Sequence, residues 1–148
     1  MAVKRASGTH LWLVMMKAYR AMERVAVHSI ENTGMCFSDF AILEILLHKG
    51  PMPVNTMAPL VNLTSGSMTT AVDRLEGRGL VKREIAPEDR RSRVVSLTAP
   101  GRELIERVFA QHAADMEQMA DVLTAAERET LTRLLKKIGT HAAGAASG

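Results

Sequence analysis

The stretch over residues 63–97 constrains the fold of this chain more than any other. Its first half carries apolar side chains at the three- and four-residue spacing of one helix face, which predicts a helix over Ser65–Gly77 with one buried side. The apolar positions are Met68, Ala71, Val72 and Leu75. Glycines at positions 77 and 79 predict where this helix ends. Other parts of the chain must supply the core against which it packs.

A hairpin is predicted directly after this helix. Val81–Ile85 and Ser92–Leu97 alternate as two short strands, and the segment Ala86–Arg91 between them contains the proline and aspartate of a turn. The tip of the hairpin is rich in arginine. The second half of the stretch is therefore expected to form a small basic wing beside the helix.

The rest of the chain is predicted to be helical. A first helix over residues 9–32 is apolar on most sides, which indicates that a partner subunit covers it. Ser38 is expected to cap a second helix that stops at Gly50, and a short third helix begins near Pro53. The order α-α-α-α-β-β-α-α predicts a mainly α protein with a small β-hairpin wing, an α+β class.

The C-terminal third is predicted to hold two more helices. Thr98 is a candidate cap for the fifth, and Thr124 with Glu127 forms a capping box for the sixth. These helices span residues 99–139, and the small polar residues 140–148 are expected to form a flexible tail. The chain therefore has long amphipathic helices at both ends of a compact middle.

Composition limits the classes of protein that fit. The 148 residues suit a single domain, residues 1–148, and 47% hydrophobic residues can build its core. One cysteine, Cys36, excludes an intrachain disulfide framework and favours a reducing compartment. No apolar run reaches the ~18 residues of a membrane span, and no secretory signal is recognisable, so a cytoplasmic location without membrane contact is expected.

The order of elements in the middle of the chain favours binding to double-stranded DNA. Two short helices with a tight turn, the second with a polar face, are the layout of a helix-turn-helix. Short hydroxyl side chains near the start of the second helix can approach bases or phosphates, and Arg74 further along is expected to contact phosphate. The hydroxyl positions are Ser65, Ser67, Thr69 and Thr70.

The wing adds arginines that could enter a minor groove, namely Arg90, Arg91 and Arg93. Seven basic and four acidic residues lie between positions 74 and 93, and their difference equals the formal net charge of the whole chain, +3. A polar helix face or a charged hairpin tip is more often merely solvated. Asp89 is also expected to orient Arg91 through an ion pair. The succession of helix, turn, polar helix, glycine stop and basic hairpin is much rarer than its parts, so it favours a DNA-binding function.

These residues resemble the winged helix-turn-helix of the MarR family of bacterial regulators, and the resemblance covers essentially the whole chain. It rests on Asp73-Arg74-Leu75-Glu76 with Gly79-Leu80-Val81, on Asp89-Arg90-Arg91, and on Leu97-Thr98 followed by Gly101. It implies a winged module over residues 38–97 and a homodimer formed by the helices at 9–32 and 99–139. It further implies that Arg91 reaches the minor groove and that a small ligand or oxidation controls the protein, which is expected to be a repressor acting on a pseudo-palindromic operator.

The sequence leaves two candidate regulatory sites, one for a ligand and one at Cys36. By resemblance, ligands bind between the dimerisation helices and the winged module, which here indicates a small aromatic or phenolic effector; the candidate residues are His10, Trp12, Met15, Met16 and Tyr19. The alternative interpretation, favoured for most of them, is that they form dimer core. Cys36 is expected to be a small buried hydrophobe, with redox or electrophile sensing as the alternative.

Other chemistries find little support in the sequence. The five histidines have no ligand-like spacing, so no metal or cofactor is expected, and no nucleophile elbow or phosphate loop indicates an enzyme. Two alternatives from other classes remain: a protein-interaction adaptor built on a winged-helix scaffold, and a ligand-binding protein that keeps the fold without binding DNA.

Overall fold

A computed structural model describes residues 7–148. Over this range the chain forms six helices and three strands, which confirms the predicted mainly α class with a small sheet. The elements are α1 (Gly8–Glu31), α2 (Phe37–Lys49), β1 (Met52–Pro53), α3 (Val54–Leu60), α4 (Ser65–Gly77), β2 (Val81–Ala86), β3 (Asp89–Leu97), α5 (Ala99–Ala120) and α6 (Ala125–Ala146).

The sheet is antiparallel and has three strands in the order β1-β3-β2. Val81 pairs with Leu97 at the base of the hairpin, and Met52 pairs with Val95 on the other side of β3. The sequence did not predict β1, because two residues that include Pro53 carry no strand period. This added strand ties the connector after α2 to the wing.

One hydrophobic core holds the middle of the chain together. All four apolar positions predicted for α4 are buried, with exposures between 0% and 2%. They pack in a cluster with side chains of α2, the sheet and the first turns of α5; its fully buried members include Ile42, Leu43, Val95 and Ile105. The helix that carries the polar face is therefore fixed from behind by apolar contacts along most of its length.

Close packing also joins the start of α5 to the turn after α4. The hydroxyl of Thr98 accepts a hydrogen bond from the Gly101 amide at 3.1 Å, as the predicted cap requires, and donates to the carbonyl oxygen of Gly79 at 2.6 Å. A Cβ at Gly101 would lie 1.9 Å from the carbonyl oxygen of Leu80, so only glycine fits there. The orientation of α5 is thereby coupled to the end of α4.

Several predicted helix ends were wrong. Cys36, not Ser38, is the N-cap of α2. The last helix continues to Ala146, so the predicted end at residue 139 and the tail over 140–148 are corrected. The physical reason is that alanine is the strongest helix former, and four alanines between positions 142 and 146 outweigh the single glycine there.

The terminal helices differ from the middle of the chain because they leave their apolar faces open. No residue of α6 is buried, although Leu131, Leu134, Leu135 and Ile138 form an apolar stripe along it. Most residues in the first two-thirds of α1 are likewise exposed, and Trp12 retains 62% of its accessible surface. Apolar area of this extent is typical of an interaction surface.

Candidate nucleic-acid interface

Helix α4 presents a polar surface of short side chains. Ser65, Ser67, Thr69 and Thr70 are all exposed, as predicted. Thr64 caps the helix: its hydroxyl oxygen accepts from the Ser67 amide at 3.1 Å. The cap fixes the first turn, which is the part of a recognition helix that reaches base edges.

The hydroxyl groups on this surface differ in how far the protein already uses them. The Thr69 hydroxyl donates to the Ser65 carbonyl oxygen at 3.0 Å, and the Thr64 hydroxyl donates to Ser67 Oγ at 2.9 Å. Within residues 7–148, the hydroxyls of Ser65 and Thr70 make no hydrogen bond to the protein, and the Ser67 proton is left free by the bond that its oxygen accepts. The hydroxyl protons of Ser65, Ser67 and Thr70 are therefore left for a partner outside the described residues.

One flank of α4 is tied to α2 by a buried carboxylate. Asp39, in the first turn of α2, is 2% exposed. Arg74 donates to both of its oxygens, from Nη2 to Oδ1 and from Nε to Oδ2 at 3.3 Å. The guanidinium of Arg78, one turn later, lies 3.6 Å from Oδ2. The sequence reasoning missed Asp39, because the pair joins residues 35 positions apart and has no local signal.

The opposite flank of α4 is tied to the hairpin. The guanidinium of Arg83 on β2 donates to Asp73 Oδ1 at 2.5 Å and to Glu76 Oε1 at 2.9 Å. The Arg83 amide also donates to Glu76 Oε2 at 3.1 Å. Arg83 is only 21% exposed in its side chain. We call Arg74, Arg78 and Arg83 the clamp arginines, since they hold α4 between α2 and the wing.

The wing carries three arginines whose surroundings differ from those of the clamp arginines. No carboxylate within residues 7–148 lies within 4.0 Å of the guanidinium of Arg90, Arg91 or Arg93, and all three are exposed. We call these the wing arginines. The predicted ion pair between Asp89 and Arg91 is absent; Asp89 Oδ1 instead accepts from the Arg91 amide at 2.9 Å. This bond fixes the backbone and leaves the Arg91 guanidinium free.

The strand register explains why these side chains project. Ile85 pairs with Arg93, but the next residue, Ala86, pairs with Asp89. Residues 90–92 therefore have no partner on β2 and form a bulge in β3. A bulge redirects side chains away from the regular ladder, so Arg90 and Arg91 stand out near the tip of the wing. The turn itself is shorter than predicted and consists of Pro87 and Glu88.

The candidate effector residues are only partly brought together. Trp12, Met15, Met16 and Tyr19 follow the spacing of one helix face, whereas His10 lies almost opposite the centre of that face, about 170° away on the helix circumference. Met15 and Met16 are half-buried and the other three are exposed. These residues line none of the four cavities that lie on α6 and between the end of α1 and α5.

A cleft that the sequence did not predict lies at the other end of α1. It has a volume of about 450 Å³ and is lined by Ser29, Asn32, Thr33, Arg107, Gln111 and Asp115. Ser29 donates to Asp115 Oδ2 at 2.6 Å and its oxygen lies 3.2 Å from His112 Nδ1. Burial lowers the pKa of His112, although the nearby carboxylates of Asp115 and Glu44 act to raise it. This polar contact joins α1 to α5.

Cys36 is exposed, so the prediction that it is a small buried hydrophobe is wrong. It occupies the N-cap of α2, where its sulfur lies 3.4 Å from Ser38 Oγ and 3.9 Å from Arg74 Nη2. An N-cap residue sits at the surface end of a helix, which explains the exposure. Its sulfur is therefore next to one of the clamp arginines.

No helix over residues 7–148 is long and apolar enough to cross a membrane. In the same range, no three His, Cys, Asp or Glu residues group closely enough to hold a metal ion.

Comparison with known proteins agrees with this arrangement. Residues 38–92 match the sequence model described as MarR family. The chain is 36% identical over 132 residues to the HTH-type transcriptional regulator MhqR of Bacillus subtilis (strain 168), covering 89% of this chain and 91% of MhqR.

Solved structures have the same fold. The structure of AbsC, a MarR family transcriptional regulator from Streptomyces coelicolor, superposes with a TM-score of 0.79 at 23% identity, covering 96% of this chain and 99% of AbsC. A mutant MarR from E. coli complexed with operator DNA gives a TM-score of 0.74 at 23% identity, covering 86% of this chain and 92% of that one.

Proposed function

The chain belongs to the MarR family of transcriptional regulators and carries its DNA-binding winged helix, and from this premise we propose that it is a dimeric repressor of a pseudo-palindromic operator. The single observation that supports this most is that the exposed surface of α4 and the wing arginines, which have no carboxylate partner within residues 7–148, belong to one module with a shared core. In the proposed complex, Ser65, Ser67, Thr69 and Thr70 approach bases or phosphates in a major groove. Arg91 enters the adjacent minor groove with Arg90 and Arg93 beside it.

Dimerisation is supported by the open apolar faces of α1 and α6. A helix with no fully buried residue gains little hydrophobic free energy within its own chain, so its apolar stripe favours a partner surface. A second copy of the chain offers the same stripe and closes the assembly with twofold symmetry. Two winged modules would then face half-sites about one helical turn apart, ~34–36 Å.

Sequence selection tests the DNA-binding proposal. The protein is incubated with a pool of random duplexes, and bound DNA is recovered and sequenced over several rounds. We expect enrichment of an inverted repeat whose halves are about 10 base pairs apart. Recovery of no preferred sequence, together with binding of a protein partner by the same surface, would favour the adaptor alternative.

Substitution in the α6 stripe tests the dimer. Leu134→Glu is expected to give a monomer in analytical ultracentrifugation and to weaken binding to the selected duplex by at least about a hundredfold, because coupled half-sites gain ~10²–10⁴ in affinity. Val122→Glu, at an exposed apolar position between α5 and α6, is the matched control and should stay dimeric. The proposal would be contradicted if wild type is a monomer in solution, or if monomeric Leu134→Glu binds the selected duplex as tightly as wild type.

Release by a small aromatic or phenolic effector is a further part of the proposed function. Trp12, Met15, Met16 and Tyr19 lie on one helix face that a dimer partner would cover, and methionine adapts to varied apolar ligands. Trp12 is the only tryptophan in the chain, so its fluorescence reports binding directly. A phenolic panel that changes neither this fluorescence nor the melting temperature would remove the effector proposal, and Trp12→Phe serves as the signal control.

Oxidation or alkylation of Cys36 is the alternative trigger. The exposed sulfur lies 3.9 Å from Arg74 Nη2, so a bulky adduct would press on a residue that holds α4. Treatment with an alkylating agent should weaken operator binding by wild type but not by Cys36→Ser. Equal affinity of treated and untreated wild type would eliminate this trigger.

A further inference from the structure

Asp39 is a buried anion held by two cations, Arg74 of α4 and Arg78, the C-cap of that helix. Its side chain is 3% exposed, and both oxygens accept from the Arg74 guanidinium. The Arg78 guanidinium adds a second positive charge at 3.6 Å. Within residues 7–148, the ion pairs of Arg74 and of Arg78 are made to this one carboxylate. One anion therefore occupies two arginines at the C-terminal end of the recognition helix.

Stability alone is a weak reason for this arrangement. Taking a carboxylate out of water is costly, and apolar side chains of similar volume often stabilise a fold as well as a buried ion pair does. The two arginines are not themselves buried: their side chains remain 44% and 51% exposed at the edge of α4. The pair thus joins a buried anion to cations that stand at the DNA-facing helix.

A guanidinium binds carboxylate and phosphate through the same forked geometry. An arginine that already donates to Asp39 has fewer N–H groups to offer a DNA phosphate, and its charge is compensated. Arginines without such a partner attract any duplex, because phosphate contacts carry no sequence information. Pairing two of them internally lowers sequence-independent attraction while keeping α4 aligned for base contacts.

We propose that Asp39 is a specificity-determining residue, an internal counter-anion that keeps Arg74 and Arg78 off DNA phosphates and fixes the angle of α4 against α2. The assignment rests on the proposed operator recognition by α4. It differs from the sequence-based prediction that Arg74 contacts phosphate. The hydrogen bonds that the Arg74 guanidinium donates to Asp39 also raise the pKa of Arg74, in keeping with a firmly held guanidinium.

The test measures two affinities that the proposal expects to change in opposite directions. Asp39→Asn is compared with wild type on the selected duplex and on a random duplex across a salt series. Freed arginines should tighten binding to the random duplex and steepen its salt slope by about one to two, whereas loss of the helix angle should weaken binding to the selected duplex. The ratio of the two affinities is expected to fall at least about tenfold, ~1.4 kcal/mol.

Asp121→Asn is the matched control, because it makes the same change in charge at an exposed site on the far end of α5. It should leave the affinity ratio unchanged. An Asp39→Asn ratio equal to that of wild type overturns the proposal. A parallel loss of both affinities in an Asp39→Asn protein that melts at the wild-type temperature also overturns it, and so does an equal change in Asp121→Asn.

Arg78→Gln decides the matter if Asp39→Asn fails to fold. Asp39 keeps its bonds to Arg74 in this variant, so the fold is retained. If Arg78 is withheld from DNA, its removal leaves the salt slope unchanged; a slope lower by about one would show a phosphate contact and overturn the proposal. If wild type itself selects no sequence from the pool, the proposed operator recognition fails, which is distinct from a failure confined to Asp39.

Discussion

The clamp arginines and the wing arginines lie within residues 74–93, yet their surroundings are opposite. Each clamp arginine meets a carboxylate of the same chain, and Arg74 and Arg83 make several hydrogen bonds to them. The wing arginines meet none among residues 7–148 and stand on or beside a bulge of β3. Their common charge in the sequence therefore conceals two different roles.

The two groups of arginines contribute to different processes, the clamp arginines to folding stability and the wing arginines to binding. A paired arginine contributes to the folded state, where its loss leaves a carboxylate uncompensated. An unpaired, exposed arginine contributes almost nothing to folding and is available to an anionic partner. Substituting members of each group should thus separate stability from DNA affinity.

The largest effect is expected for Arg74→Ala, which removes both hydrogen bonds to the buried Asp39. We expect a loss of about 2 kcal/mol in unfolding free energy, below the ~3–5 kcal/mol of a wholly buried pair because Arg78 remains and the guanidinium is half exposed. The melting temperature at fixed protein concentration should fall by roughly 4–8 °C. An unchanged melting temperature would show that Arg74 does not stabilise the fold and would break the distinction between the groups.

Arg91→Ala is expected to act on binding alone. Affinity for the selected duplex should fall about tenfold, ~1.4 kcal/mol, because a phosphate or minor-groove contact is lost. The melting temperature should match that of wild type, since Arg91 makes no side-chain contact that the fold requires. Glu88→Ala, at the adjacent turn, is the control and should not weaken binding. A variant that melts earlier yet binds normally would place Arg91 among the clamp arginines.

The sequence predicted the polar and apolar faces of α4 but not which arginines are paired. Burial of Met68, Ala71, Val72 and Leu75 follows from a local period, which is visible without a structure. The pairing of Arg74 with Asp39 depends on how α2 and α4 cross, and residue spacing holds no record of that. The bulge at residues 90–92 was likewise invisible, because it is a property of the register between two strands.

Some helix ends were predicted wrongly for a related reason. Capping side chains predicted α5 and α6 well, because Thr98, Thr124 and Glu127 act within one turn of themselves. The exposure of Cys36 could not be predicted, since an apolar neighbourhood in sequence does not show that the residue starts a helix at the surface. Capping interactions within one helical turn could be predicted from the sequence, whereas the placement of elements relative to one another could not.

Arg83→Ala should have a smaller effect than Arg74→Ala. Its two ion pairs join carboxylates that are largely exposed, so we expect a loss of about 1 kcal/mol and a melting temperature lower by roughly 2–4 °C. Operator affinity should change less than in Arg91→Ala, because the Arg83 amide still donates to Glu76 and α4 stays near the wing. Lys82→Ala, whose ion pair with Glu84 is fully at the surface, is the control and should be neutral.

A pH series gives the smallest expected effect and isolates groups outside both sets, because arginine stays charged throughout. Burial lowers the pKa of His112, so the folded state binds fewer protons than the unfolded state just below pH ~6.5. The contribution of neutral His112 to stability is complete above that pH. It is lost as the pH falls through the lowered pKa that His112 has in the folded state. Wild type should melt earlier at about pH 5.5 than at about pH 7.5, and His112→Gln should reduce the difference. His141→Gln should retain the wild-type difference; equal pH dependence in all three proteins would exclude His112.

The most direct test of the division between the two groups is the salt dependence of operator binding. Wild type, Arg91→Ala and Arg83→Ala are titrated with the same selected duplex at several salt concentrations, and log K is plotted against log salt. We predict that the slope for Arg91→Ala is smaller than that of wild type by about one, while Arg83→Ala runs parallel to wild type. Equal slopes for wild type and Arg91→Ala, with a smaller slope for Arg83→Ala, would contradict the account.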